Sequence, residues 1–152
     1  SSLPDGTLTY SVTLTDTTGN TGGAVTAVAT LDRTAPAGYA IALDNTVIGT
    51  TEASSTGFTF SGAEVGATYQ YTVTSSGGGT AVTGSGTIAS STEHVTSIDV
   101  SSLSDGTLSF SVTLTDLAGN TGTAATADAT LDRTTVAAAV DAALSQMDDF
   151  LL

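Results

Sequence analysis

The chain has 152 residues and a formal net charge of −13, with two arginines, no lysine and no cysteine. That balance excludes nucleic acid, whose phosphates demand clustered cations, and it excludes anionic membrane surfaces for the same reason. Disulfides, thiolate metal sites and cysteine nucleophiles are excluded too, whereas a carboxylate-rich, cation-poor chain suits Ca2+, a hard ion that takes oxygen ligands.

From the N-terminus, Leu8, Tyr10, Val12 and Leu14 fall on one face of a period-two run, the mark of a strand. A turn at residues 16–20 and a second run ending at Leu31 make a strand–turn–strand hairpin. Tyr39, Ile41 and Leu43 share a face of the next strand, which Asp44 and Asn45 end. Phe58 and Phe60 mark a short strand; Tyr69, Tyr71 and Val73 mark another, closed by the glycine-rich residues 75–79. Residues 81–89 form a weaker strand interrupted by Gly84 and Gly86, and residues 94–100 carry Ile98 and Val100 on one face. In residues 107–115, Leu108, Phe110, Val112 and Leu114 alternate with Thr and Ser, and the closing strand runs over 121–131. Residues 135–152 are Ala-rich, free of Gly and Pro, and place Val136, Val140, Leu144, Met147 and Leu151 at helical spacing, with Thr134 or Thr135 as cap.

Residues 1–34 reappear at 101–134 with 26 of 34 positions identical; the differences fall at 4, 9, 10, 17, 18, 23, 25 and 28. A fixed-period repeat is the signature of a tandem array. The fold expected is all-β, an Ig-like antiparallel β-sandwich of about seven strands with a C-terminal helical segment. Residues 35–134 are one complete unit, 1–34 are the closing hairpin and linker of a preceding unit, and 135–152 are a helical tail. The expected core is Ile41, Leu43, Phe58, Phe60, Tyr69, Tyr71, Val73, Ile98, Val100, Leu108, Phe110, Val112, Leu114 and Leu131. Two strands alone are marginal in water. The apolar face and open edges of residues 1–34 therefore call for a partner, such as the helical segment 135–152 of a neighbouring chain.

In a sandwich of this kind the last strand starts at the pole where the domain's N-terminus lies. The turn at 116–120 then faces the incoming linker Leu31-Asp32-Arg33-Thr34, and Glu64 reaches the same pole. Asp32, Asp116, Asn120 and Glu64 are the candidate Ca2+ ligands, since carboxylates with backbone carbonyls at a joint suit that ion. Asp116-x-x-Gly119-Asn120 is also a good turn sequence, and the two roles are compatible. Asp16, Asn20 and Asp132 are the corresponding half-sites, while Asp5 and Asp105 read as turn residues at the opposite pole. His94, the one histidine, reads as an exposed strand residue, and no nucleophile elbow or phosphate loop is present. The chain is therefore read as non-enzymatic, with no transmembrane run.

The motifs Thr30-Leu31-Asp32-Arg33-Thr34-Ala35-Pro36, Phe58-Thr59-Phe60-Ser61-Gly62-Ala63-Glu64 with Val65-Gly66-Ala67-Thr68-Tyr69, and Val112-Thr113-Leu114-Thr115-Asp116-Leu117-Ala118-Gly119-Asn120 carry a resemblance. Residues 1–134 resemble the bacterial Ig-like extender domains of very large adhesins, including RTX-type biofilm adhesins exported by type I secretion. The resemblance implies an extracellular stalk at the bacterial cell surface, built of many copies that contact their neighbours. It implies Ca2+ at the junctions, roles carried here by Asp32, Asp116 and Asn120, and a distal region that binds the ligand. Two other readings stand beside it. One is a carbohydrate- or protein-binding Ig-like module using Tyr39 or residues 52–57; the other is an accessory module of a secreted hydrolase.

Overall fold

The computed structural model describes residues 3–151; Ser1, Ser2 and Leu152, at the ends of the expected spans, lie outside the described residues. The chain folds as β1 (Gly6–Val12), β2 (Val25–Leu31), β3 (Ala40–Leu43), β4 (Val47–Ile48), β5 (Thr56–Ser61), β6 (Thr68–Ser75), β7 (Val82–Thr87), β8 (His94–Ile98), β9 (Gly106–Thr115), β10 (Ala125–Leu131) and α1 (Val136–Leu151). β3 to β10 build a two-sheet sandwich, with a five-stranded sheet β4-β10-β9-β6-β7 facing a three-stranded sheet β3-β5-β8. This is the Ig-like arrangement.

Strand alternation sets the core. Leu108, Phe110, Val112 and Leu114 of β9 are fully buried, as are Phe58, Val73, Val100 and Ile48. Phe58 meets Phe60 edge to face at 5.3 Å and Tyr71 at 5.9 Å, the geometry that ring quadrupoles favour. Ten of the fourteen expected core residues are buried; Ile41, Leu43, Tyr69 and Tyr71 are half-buried against them. Ile48, Val95, Ile88 and Leu103 are core residues that strand alternation did not single out. Gly84 and Gly86 do not interrupt β7 but enable it. They pair with Tyr71 and Tyr69, whose rings lie where their Cβ atoms would be.

The sandwich departs from the expected one at β4, an eighth strand in the unit. It follows the break at Asp44-Asn45 and pairs parallel with β10 through Thr130↔Val47 and Leu131↔Ile48. The sheet is thus mixed. Two residues are too few for a periodicity to reveal, and only the position of β10 gives them a partner.

β1 and β2 form a separate two-stranded sheet whose register, Gly6↔Leu31 through Val12↔Val25, repeats that of β9 and β10 at an offset of 100. Its apolar face is uncovered: Tyr10, Val12 and Leu14 are 56%, 59% and 78% exposed, where Phe110, Val112 and Leu114 are at 0%. α1 forms where helical spacing placed it, and Val136, Val140, Leu144 and Met147 along it are exposed. Among the described residues no helix is long and apolar enough to cross a membrane.

Candidate functional site: the joint between the two copies

The linker that leaves β2 runs to β3 across the turn between β9 and β10. In that turn the Asp116 amide donates to the Asn120 carbonyl at 3.0 Å and the Gly119 amide to the Asp116 carbonyl at 3.2 Å. Gly119 sits at φ 92°, the left-handed region where a Cβ is costly. The Asp116 carboxylate accepts at both oxygens from Asn120, from the backbone amide at 2.8 Å and from the side-chain amide at 2.8 Å. These bonds, the side-chain one first, hold the Asp116 carboxyl below the ordinary range although only 7% of the residue is exposed.

The same Asn120 amide nitrogen donates to the Asp32 carbonyl at 3.1 Å. Linker and turn are joined at two further places. Tyr39 Oη donates to the Thr123 carbonyl at 2.6 Å and accepts from the Leu114 amide at 3.2 Å. The Pro36 carbonyl lies so close to Gly122 that a Cβ there would sit 2.2 Å from it. A cavity of about 410 Å3 opens beside this contact, lined by Thr30, Asp32, Glu64, Asp116, Leu117 and Ala118. Asp116 is buried, Asp32 half-buried and Glu64 exposed.

Chemically the cavity is an oxygen-rich, anionic recess. Asp32 uses one carboxylate oxygen to accept from the Thr34 amide at 3.0 Å. Both arginines are engaged elsewhere. Arg33 pairs with Asp5 at 2.9 Å and Arg133 with Asp105 at 2.7 Å. Such a donor set fits a hard cation. Among the described residues, however, no three His, Cys, Asp or Glu side chains converge closely enough to hold a metal ion as they stand. A cation here would need carbonyl or water oxygens as well. Asn120 faces Asp116 and the linker with its amide nitrogen, a donor group.

In the first copy the half-site residues keep the local bonds without the linker. Asn20 donates to Asp16 at 2.9 Å from its backbone and at 3.0 Å from its side chain. All of this turn is exposed. At the far end, Asp132 accepts from the Thr134 amide at 2.9 Å, as Asp32 does from Thr34.

Asp5 and Asp105, read from the sequence as turn residues, do more than turn the chain. The Arg133 backbone amide and Nε donate to the two Asp105 oxygens at 3.0 and 2.7 Å, and its remaining nitrogens reach the Ser101 and Leu103 carbonyls at 2.8 and 2.7 Å. Arg33 repeats the grip on Asp5 at 3.0 and 2.9 Å and reaches the Leu3 carbonyl. The signal was present in the sequence: the chain's two cations occupy equivalent repeat positions, each 28 residues after an Asp-Gly. His94 lies on β8, exposed as expected, with Nε2 at 3.0 Å from Asp44. Tyr39 is occupied by its two hydrogen bonds. Residues 52–57 are a turn running into β5, with Ala53 and Thr56 buried.

No family model matches the chain, and no curated protein matches it. Among solved structures it is similar to one described as the crystal structure of a tetra-tandem repeat in the extending region of a large adhesion protein. The two share 30% identity over 89% of this chain, with a TM-score of 0.59, and the chain spans 34% of that one.

Proposed function

We propose that the chain is a stalk segment: one complete extender repeat of a bacterial surface adhesin, preceded by the closing hairpin of another. The supporting observation is the joint itself. A linker that ends one copy of a duplicated hairpin is held, through Asp32 and Pro36, against the turn of the next copy. The likeness to a tandem repeat from an adhesion protein's extending region points the same way. In this reading the protein is extracellular and non-enzymatic. Its partners are neighbouring repeats, and a distal region carries the ligand; biofilm attachment and type I export belong to the same proposal.

Asp32, Glu64 and Asp116 are the residues that would hold Ca2+ at the joint, with Asn120 keeping the Asp116 carboxylate charged and oriented. The ion would neutralise mutual repulsion in the recess and limit bending. Ca2+ is expected to raise the melting midpoint of the chain relative to EGTA, by an amount equivalent to about 2.7 kcal/mol at a hundredfold excess over Kd. Asp32→Asn with Glu64→Gln should remove that shift. An unchanged midpoint across millimolar Ca2+ would sink the calcium part of the proposal and leave the stalk part to be judged by the geometry of longer arrays.

A further inference from the structure

The two copies of the Asp-x-x-Gly-Asn turn differ in what the asparagine does with its side-chain amide. In the joint, Asn120 gives it to the Asp32 carbonyl of the linker at 3.1 Å. In the first copy, Asn20 gives it to Thr18 Oγ1 at 2.9 Å. Both keep the carboxylate bond, 2.8 Å to Asp116 and 3.0 Å to Asp16. The residue that captures the amide in the first copy is one of the few that differ between copies, for position 118 is alanine. The Thr18 hydroxyl is well placed to capture it. It donates to Asp16 Oδ1 at 2.7 Å and so turns a lone pair toward Asn20. Ala118, by contrast, lines the cavity beside Asp32 and offers no acceptor.

We propose that Asn120 is a cation-independent latch of the joint, and that the residue two places before it sets whether the latch engages the linker. Alanine leaves the amide to the linker carbonyl; threonine diverts it into the turn. Units of an array that differ at this position then differ in the stiffness of the joint ahead of them. The inference rests on reading residues 32–38 as a joint between units, and it does not require calcium.

The test uses the full chain, 13C- and 15N-labelled, in EGTA, and reads the 13C shift of the Asp32 carbonyl, the acceptor of the latch, together with 15N relaxation of linker residues 33, 34 and 37–39. Ala118→Thr should shift the balance away from the linker contact about fivefold, the worth of one ordinary hydrogen bond, and move the Asp32 carbonyl shift accordingly. Added fast motion should appear in those linker amides, with the melting midpoint unchanged because the first copy already folds with threonine there. Ala118→Val, of the same shape without the acceptor, should behave as wild type. If threonine leaves the Asp32 carbonyl shift and the linker relaxation unchanged, or valine loosens the linker as much as threonine does, the latch is overturned. Because no divalent ion is present, either result is independent of whether Ca2+ shifts the midpoint.

Discussion

At the scale of single residues, the two Asp–Arg grips and the Asp–Asn turn share one electrostatic consequence. Hydrogen bonds from Arg33, the backbone amide first, pull Asp5 down to about 2 from an ordinary 3.8. Arg133 lowers Asp105 in the same way, and Asn120 lowers Asp116. A carboxylate whose folded pKa is depressed contributes stability that is whole above the unfolded value. That contribution drains away as pH falls through the folded value, because the unfolded chain binds more protons in that window. Stability should therefore be flat from neutral pH to about 5 and decline below about 4; carboxyl 13C shifts should place the Asp5 midpoint near 2. A midpoint near 3.8 would mean that the Arg33 grip does not persist in solution. The turn aspartates were legible in the sequence because Asp-x-x-Gly-Asn has its own local chemistry. The arginine grips left only an indirect trace there, the repeated 28-residue spacing, because each joins residues that meet only once β1 pairs with β2 or β9 with β10.

At the scale of elements, two near-identical hairpins make the linker's contribution separable. Gly22 and Gly122 are equivalent, yet a Cβ at Gly22 would meet nothing closer than the Leu14 carbonyl at 3.8 Å, whereas at Gly122 it would strike the Pro36 carbonyl at 2.2 Å. Gly122→Ala is expected to displace the linker and cost about 1–3 kcal/mol in chemical denaturation, as overpacking does, and Gly22→Ala to cost far less. Equal effects would show that the glycine serves the turn alone. Strands were readable wherever a one-sided face repeats, as in β9, because burial on one side and solvent on the other imposes period two. β4 escaped because two residues have no period, and Ile48 is core only through its place beside Leu131. β7 looked weak because its glycines make sense only beneath Tyr69 and Tyr71.

At the scale of the whole molecule, the chain holds two near-copies of one segment in two environments. β9 and β10 lie inside a closed sandwich; β1 and β2, in the same register, have an open apolar face. Amide exchange should report the difference directly. Amides of β9 are expected to exchange only with unfolding of the whole unit, and those of β1 by local opening, orders of magnitude faster. Equal protection would mean that another surface covers the first hairpin in solution. The amino-acid sequence by itself determined the strand class, the repeat and its register, most of the core, and the turn that faces the linker. These follow from side-chain alternation and from short-range backbone chemistry, both of which are local. The tertiary structure decided how completely each copy is buried, where the two arginines anchor, and that Asn120 reaches the Asp32 carbonyl. Near-identical segments cannot differ so far in burial by local propensity. What separates their burial is the presence or absence of the strands between residues 35 and 100 against the hairpin, a long-range contact that no window of sequence contains.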